Sequence, residues 1–199
     1  TEINCYDDVV KRARYSDIVL KPFWGHGGRG IIRVAKSGII SGNNISASLG
    51  DQAGKKLIQE TCREGCIAMD YLARVTQSGD KRIVVVCGQI VGAVLRIPAH
   101  GSWLGNVARG ATSHSASVTP NERDMINEID NFLSRRGIYL YGIDTIEDNS
   151  GKRVLSEINV TNVGGLIQIE QMNNMGIVSS VVAQLADVWD IPLKENPKY

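Results

Sequence analysis

Two pairs of apolar, β-branched runs, each split by a short turn, constrain this chain more than any other feature. Ile83-Val84-Val85-Val86 and Val91-Gly92-Ala93-Val94-Leu95 are joined through the turn Cys87-Gly88-Gln89 and Ile90. Tyr141 to Ile146 and the run through Glu157-Ile158-Asn159 are separated by Asp148-Asn149-Ser150-Gly151-Lys152. Short apolar runs bounded by polar or glycine-bearing turns are strands of antiparallel hairpins. The expectation from these runs is a pair of antiparallel hairpins.

The hairpins also place chemistry. If the second one turns about Asn149 and Ser150, Asp144 lies nearly opposite Glu157. Glu157 and Asn159, two apart on a strand, then share a face. Two carboxylates and an amide oxygen form a hard donor set that suits Mg²⁺, a metal that keeps waters and also binds substrate phosphates. The competing reading is a pair of solvated acids at a hairpin. In the first hairpin Arg82 precedes one strand and Arg96 closes the other, so both guanidinium groups belong at the same open end. Two such forks can grip a carboxylate or phosphate bidentately; the competing reading is two strand-end arginines in water.

A third signal lies near the start. Ile18-Val19-Leu20 reads as a buried strand ending at Lys21-Pro22, and Gly25-His26-Gly27-Gly28-Arg29-Gly30 follows before a second apolar run, Ile31-Ile32-Arg33-Val34. Glycines so dense let backbone N–H groups approach an anion, and Lys21 can set an ammonium on a phosphate. No Gly-Lys-Ser/Thr opens a helix here, so this is not a P-loop. A strand follows the glycines, so it is not a dinucleotide fingerprint either. Strand, glycine loop and strand together read as a flap over a nucleotide, or as a plain glycine-rich hairpin.

These segments occur in one order: Ser16 to Pro22 with its glycines, Gly79-Asp80-Lys81-Arg82, Leu95-Arg96-Ile97-Pro98, Gly105-Asn106, Gly142-Ile143-Asp144 and Ser156 to Thr161. In that order they resemble the ATP-grasp region of bacterial glutathione synthetase over about residues 1–190. The resemblance implies an ATP-dependent carboxylate–amine ligase fold of two α+β subdomains, working through an acyl phosphate. It implies ATP and Mg²⁺ as cofactors, with Asp144, Glu157 and Asn159 as metal ligands. Lys21, the loop glycines Gly25, Gly27, Gly28 and Gly30, and the hinge Met69, Asp70, Tyr71 and Leu72 would bind ATP, the hinge taking adenine. Asp80, Arg82 and Arg96 would face the phosphates and the acyl group, the two arginines as catalytic residues, and Asn106 would sit near phosphates and metals. The implied domain is 1–191, with a smaller lid subdomain over about 1–70, a larger metal-bearing one over 71–191, and a tail at 192–199.

The chain departs from that pattern where a peptide-like substrate would lie. Leu104 stands where the family carries an arginine before Gly-Asn, Arg109-Gly110 places a cation further on, and Thr161-Asn162-Val163 replaces Thr-Ser-Pro. The resemblance starts well inside the family's length, past its N-terminal domain and an upstream ATP-contacting lysine. The expected substrates are a small-molecule carboxylate and an amine, γ-glutamylcysteine and glycine by resemblance alone. A homo-oligomer or the missing N-terminal part are the expected protein partners. The alternative is a nucleotide-binding or regulatory module that has lost ligation or needs that missing part.

Composition fits this picture. A net charge of +1 without a basic stripe argues against nucleic acid. The longest aliphatic run is too short for a bilayer span, and a cytoplasmic location with reduced thiols follows as the default. Cys62 and Cys66 lack matching His or Cys partners for zinc. Helices are expected over Tyr6–Tyr15, Asp51–Arg63 (Leu57 and Ile58 inward), Asn121–Arg136 (stripe Met125, Ile129, Phe132, Leu133), Gln168–Asn174 and Ile177–Trp189. Ser41–Gly50 is expected as loop. Ala99–Thr119 is expected as an active-site loop, with His100 and His114 exposed and not catalytic.

Overall fold

The computed structural model of the chain describes residues 2–3, 6–24, 27–42, 45–105, 110–173 and 176–191. The chain divides into two compact units, Thr1–Tyr71 and Leu72–Tyr199. Each is an α+β unit whose strand pairings are antiparallel among the described residues. The expected tail at 192–199 lies outside the described residues.

In the first unit the order is β1 (Glu2–Ile3), α1 (Tyr6–Ala13), β2 (Ile18–Pro22), β3 (Ile32–Val34), β4 (Ile39–Gly42), β5 (Ile45–Ser48), α2 (Gln52–Thr61) and β6 (Cys66–Asp70). The described strands form a six-stranded sheet, β1-β6-β2-β3-β4-β5. Alternation decides its two faces. Ile18, Leu20, Cys66 and Ala68 point into a core shared with Val9 and Ala13 of α1 and Ile58 of α2. Val19, Lys21, Ile67 and Met69 point the other way. Helix α1 carries Asp7 and Asp8 in its first turn and Lys11 and Arg12 in its last, the charge order its dipole favours.

Two expectations for this unit are corrected. Ser41–Gly50 is not loop: β4 and β5 form a hairpin there, with Ile40 opposite Ala47. As the sheet's edge strand, β5 keeps most of its side chains exposed, so its polar composition hid it. The thiols of Cys62 and Cys66 are not reduced but joined as a disulfide, their Cα atoms 4.8 Å apart. The turn from the end of α2 into β6 brings them within bridging range.

The second unit runs α3 (Val75–Ser78), β7 (Asp80–Val86), β8 (Gln89–Ile97), β9 (Thr112–Ser115), α4 (Pro120–Ser134), β10 (Leu140–Glu147), β11 (Arg153–Asn159), α5 (Leu166–Asn173) and α6 (Ile177–Val188). Its described sheet is β11-β10-β7-β8-β9. Central strand β7 is covered on both faces, which is why it reads as an unbroken apolar run. Ile83 and Val85 face Ile126 and Leu133 of α4, while Val84 faces Ile169 of α5. No helix among the described residues is long and apolar enough to cross a membrane.

Here too the structure differs from expectation. Part of the Ala99–Thr119 segment is strand β9, whose Ser113 pairs with Arg96 of β8. The buried stripe of α4 is Glu122, Ile126 and Leu133, with Ile129 partly buried, and Phe132 is exposed. A capping box explains the rotation. The Thr119 hydroxyl accepts from the Glu122 N–H while the Glu122 carboxylate accepts from the Thr119 N–H. That turns Glu122 inward and carries the stripe with it.

Candidate functional site

The face of the second sheet that α5 partly covers carries the concentrated charge. Asp80 and Arg82 are two apart on β7, Arg96 pairs with Asp80 across β8, and Asp144 pairs with Arg82 across β10. On the far side of β10, Asp144 pairs with Glu157 and Gly142 with Asn159. The register shifts between Asp144 and Thr145, whose partners on β11 are Glu157 and Leu155. Ser156 is therefore the extra residue of a β-bulge, and the bulge sets the two carboxylates directly opposite each other.

These side chains form one network. Arg82 grips Asp144 with a fork, from Nε to Oδ1 and from Nη2 to Oδ2 at 2.8 Å. Arg96 grips Asp80, from Nε to Oδ1 at 3.0 Å and from Nη2 to Oδ2, and its Nη2 also lies 3.0 Å from Asp144 Oδ2. The Asn159 amide, with oxygen and nitrogen assigned to satisfy both neighbours, accepts from Arg82 Nη2 at 3.1 Å and donates to Glu157 Oε1 at 3.2 Å. Arg82 Nη1 donates to the Gly164 carbonyl at 3.2 Å. Both arginines do stand at one end, but their forks hold the chain's own carboxylates.

Two glycines keep the network compact. A Cβ on Gly142 would lie 2.9 Å from Arg82 Cδ, and one on Gly105 would collide with the Asp80 carboxylate. The glycine of Tyr141-Gly142-Ile143-Asp144 thus makes room for Arg82, and Gly105 makes room for Asp80. Asn106, expected beside the phosphates, lies outside the described residues, as does Arg109.

The two aspartates differ in electrostatics. Burial pushes the Asp144 carboxyl up, but the Arg82 fork and the charges of Arg96 and Arg82 outweigh it and hold the group below the usual carboxylate range. For Asp80 burial wins over Arg96, and its pKa is raised to about 6. A carboxyl raised this way binds more protons folded than unfolded between about pH 4 and 6, so its contribution to stability falls as pH rises through that window. NMR titration of the ligand-free chain should show Asp80 titrating near 6. In Asp80→Asn the stability slope between pH 4 and 6 should flatten; an unchanged slope would assign that titration to another group.

Oxygen donors of the type Mg²⁺ prefers are present in Asp144, Glu157 and Asn159. Asp144 is braced by Arg82 and Arg96, which between them take both lone-pair sites of Oδ2, while Oδ1 accepts from Arg82 alone and keeps a lone pair for a metal. The donor set fits the metal in kind, and the fit rests on chemistry and register.

The other predicted residues, Leu72 apart, belong to the first unit. Lys21 pairs with Ile67 and Val19 with Met69, so all four share the face turned away from the core. Gly27, Gly28 and Gly30 form the turn from β2 into β3 with φ of 61°, 71° and 73°, the left-handed region that favours glycine. An added Cβ on Gly28 would meet nothing within 4 Å, so that backbone can be approached closely. Gly25 lies outside the described residues. Asp70 is exposed at the end of β6, and the Tyr71 N–H donates to the Asp17 carbonyl at 2.9 Å. Leu72 begins the second unit.

Sequence reasoning missed the underside of the second-unit site. Lys81, between Asp80 and Arg82, points to the opposite face, where its Nζ donates to Glu122 Oε2 and to the Ser117 carbonyl, both at 2.8 Å. Thr145, next to Asp144, donates to Glu122 Oε1 at 2.6 Å. The available signal was the capping box Thr119-Pro120-Asn121-Glu122.

Residues 6–174 match the family described as prokaryotic glutathione synthetase, ATP-grasp domain. The glutathione synthetase of Prochlorococcus marinus subsp. pastoris is 31% identical over 182 residues, covering 91% of this chain and 54% of that protein. The glutathione synthetase of Brucella melitensis biotype 1 is 34% identical over 168 residues, covering 84% and 49%. The chain thus spans about half the length of these curated relatives. In fold it is similar to the crystal structure of a D-cycloserine synthetase, with a TM-score of 0.65 at 11% identity, covering 92% of this chain and 59% of that one.

Proposed function

This chain belongs to the prokaryotic glutathione synthetase ATP-grasp family, and on that premise we propose that it binds MgATP and serves an ATP-dependent ligase that joins a carboxylate to an amine. The observation that carries the reading is the register that lines up Arg82, Asp144 and Glu157 across three strands, with Arg96 and Asp80 beside them.

Phosphoryl transfer demands charge neutralisation and positioning more than covalent chemistry. Asp144, Glu157 and Asn159 would hold Mg²⁺, which supplies the charge that offsets the nucleotide's phosphates. Arg82 and Arg96 are held in place before substrate arrives by Asp144 and Asp80. Their remaining N–H donors would orient the transferred phosphoryl group and the substrate carboxylate at no further ordering cost. In the proposed reaction a carboxylate oxygen takes the γ-phosphoryl group to give an acyl phosphate and ADP. The amine then attacks the acyl carbon and phosphate leaves. Lys21 and the glycine turn Gly27 to Gly30 would serve the phosphates, with Met69, Asp70, Tyr71 and Leu72 at the base. The family match favours this reading over a module that has lost ligation. For substrates we propose γ-glutamylcysteine or a similar carboxylate with a small amine such as glycine. Leu104, an uncharged residue beside Gly105, makes the acceptor end the least fixed. Use of ATP goes with a cytoplasmic location.

Calorimetric titration with ATP, with and without Mg²⁺, tests the reading. Saturation that depends on Mg²⁺ is expected, and its absence in the full chain would overturn the proposal. Glu157→Gln removes one charged ligand while keeping the shape, and should weaken MgATP binding by about tenfold or more. Equal affinity in variant and parent would remove Glu157 from the metal site.

A further inference from the structure

The end of β6 in the first unit is held by residues that the reaction as proposed does not use. Asp17 lies between α1 and β2, and three of its oxygens are engaged. Its carbonyl accepts the Tyr71 N–H at 2.9 Å. Its Oδ1 accepts the Lys36 N–H at 2.8 Å, and its Oδ2 accepts from Arg33 Nη2. Arg33, opposite Val19 on β3, lays its guanidinium over the Tyr71 ring with Cζ 3.8 Å from the centroid. Arg33 Nε is buried with no hydrogen-bond partner among the described residues. The guanidinium is therefore oriented by Asp17 and by the ring face, at the cost of one donor. Next to it, Arg12 Nη2 and Ser16 Oγ reach Asp70 Oδ1 at 3.4 and 3.5 Å. Ser16 and Asp17, adjacent in sequence, thus tie down two successive residues, Asp70 and Tyr71.

We propose that Asp17 and Arg33 are a positioning pair that fixes the Tyr71 ring and the end of β6, and so sets the affinity and selectivity for the nucleotide base. The proposal rests on the nucleotide reading above. The physical argument is preorganisation: a tyrosine at a chain segment's end would otherwise lose rotamer freedom only when the base binds, and that loss would weaken binding. A planar cation on one ring face removes the freedom beforehand, and arginine's fork stacks on the ring and pairs with a carboxylate at once, which a lysine's point charge cannot do. The pair acts through Tyr71 and is not itself placed against the nucleotide.

Titration of the full chain with MgATP and with MgGTP reads the effect. Arg33→Met should weaken MgATP by about tenfold and narrow the preference for ATP over GTP, with the melting temperature near that of the parent. Arg33→Lys keeps the charge but not the planar stack, so it should recover less than half of that loss on a logarithmic scale. Added to Tyr71→Ala, Arg33→Met should cost little more, because both changes remove one coupled unit. A parent that binds MgATP together with an Arg33→Met variant of equal affinity and selectivity overturns the positioning role alone. So does an additive double variant, or an equal loss for both nucleotides that tracks the melting temperature. Where Arg33→Met does not fold, Arg33→Lys decides by the same ratio of ATP to GTP affinity. No MgATP binding by the parent overturns the nucleotide reading itself and this proposal with it.

Discussion

Arg82→Met is expected to lower the stability of the second unit by about 3–5 kcal/mol, because it strips a buried carboxylate of its main counter-charge. Asp144 is 7% exposed and Arg82 8%, so water cannot replace the lost fork. Arg96 remains within 3.0 Å of Asp144 Oδ2, but it is already committed to Asp80. The Gly164 carbonyl and the Asn159 amide lose their donor in the same change. Chemical denaturation followed by circular dichroism would read the loss, and a cost under about 1 kcal/mol would mean that the pair is effectively solvated. A second variant separates stability from function. Arg82→Met combined with Asp144→Leu removes both charges and should recover much of the lost stability, while the proposed MgATP binding should not recover with it.

Lys81→Met is the second large effect, and it acts from the opposite face of the same strand. Glu122 is fully buried. It accepts hydrogen bonds from Lys81, Thr145 and both the N–H and hydroxyl of Thr119. In the parent, burial pushes its pKa up, but the hydrogen bond from Lys81 and those from Thr145 and Thr119 outweigh it and keep the group below the usual range. Without the ammonium, the remaining neutral donors do not balance a buried charge, and a cost of about 3 kcal/mol or more is expected. The pH dependence identifies the cause. In the variant the folded pKa of Glu122 should rise above its unfolded value, so the deficit should shrink as pH falls toward 4. A deficit independent of pH would instead point to lost packing of the lysine stem. MgATP affinity should also drop, because Lys81 lies between Asp80 and Arg82 and Thr145 follows Asp144.

The hairpin that carries Asp144, Glu157 and Asn159 shows how far local pattern reaches. A turn about Asn149 and Ser150 would pair Asp144 with a residue near Glu157, and the alternation puts Glu157 and Asn159 on one face. The bulge at Ser156 completes the alignment, since an unbroken register from Glu147 and Arg153 would set Asp144 against Ser156. Nothing in the hairpin's own pattern signals that bulge. Strand β5 and the stripe of α4 were hidden for related reasons. An edge strand need not alternate in polarity, and a helix whose buried stripe begins with a glutamate cannot be phased by apolar residues alone.

The sequence by itself determined the hairpins, the glycine turn after Lys21, the strand ends that carry Arg82 and Arg96, and the ordered motifs that mark the family. Apart from the order of the motifs along the chain, these are relations between residues near one another in sequence, where alternation and turn chemistry act directly. Only the tertiary structure decided that Arg82 grips Asp144, 62 residues away. It alone showed that Arg96 is held by Asp80, that Lys81 reaches Glu122 beneath the site, and that Arg33 lies over Tyr71. Charged side chains carry no mark of their partners. Which carboxylate a guanidinium meets is fixed by strand register across a sheet, and that register is set by the packing of the whole unit.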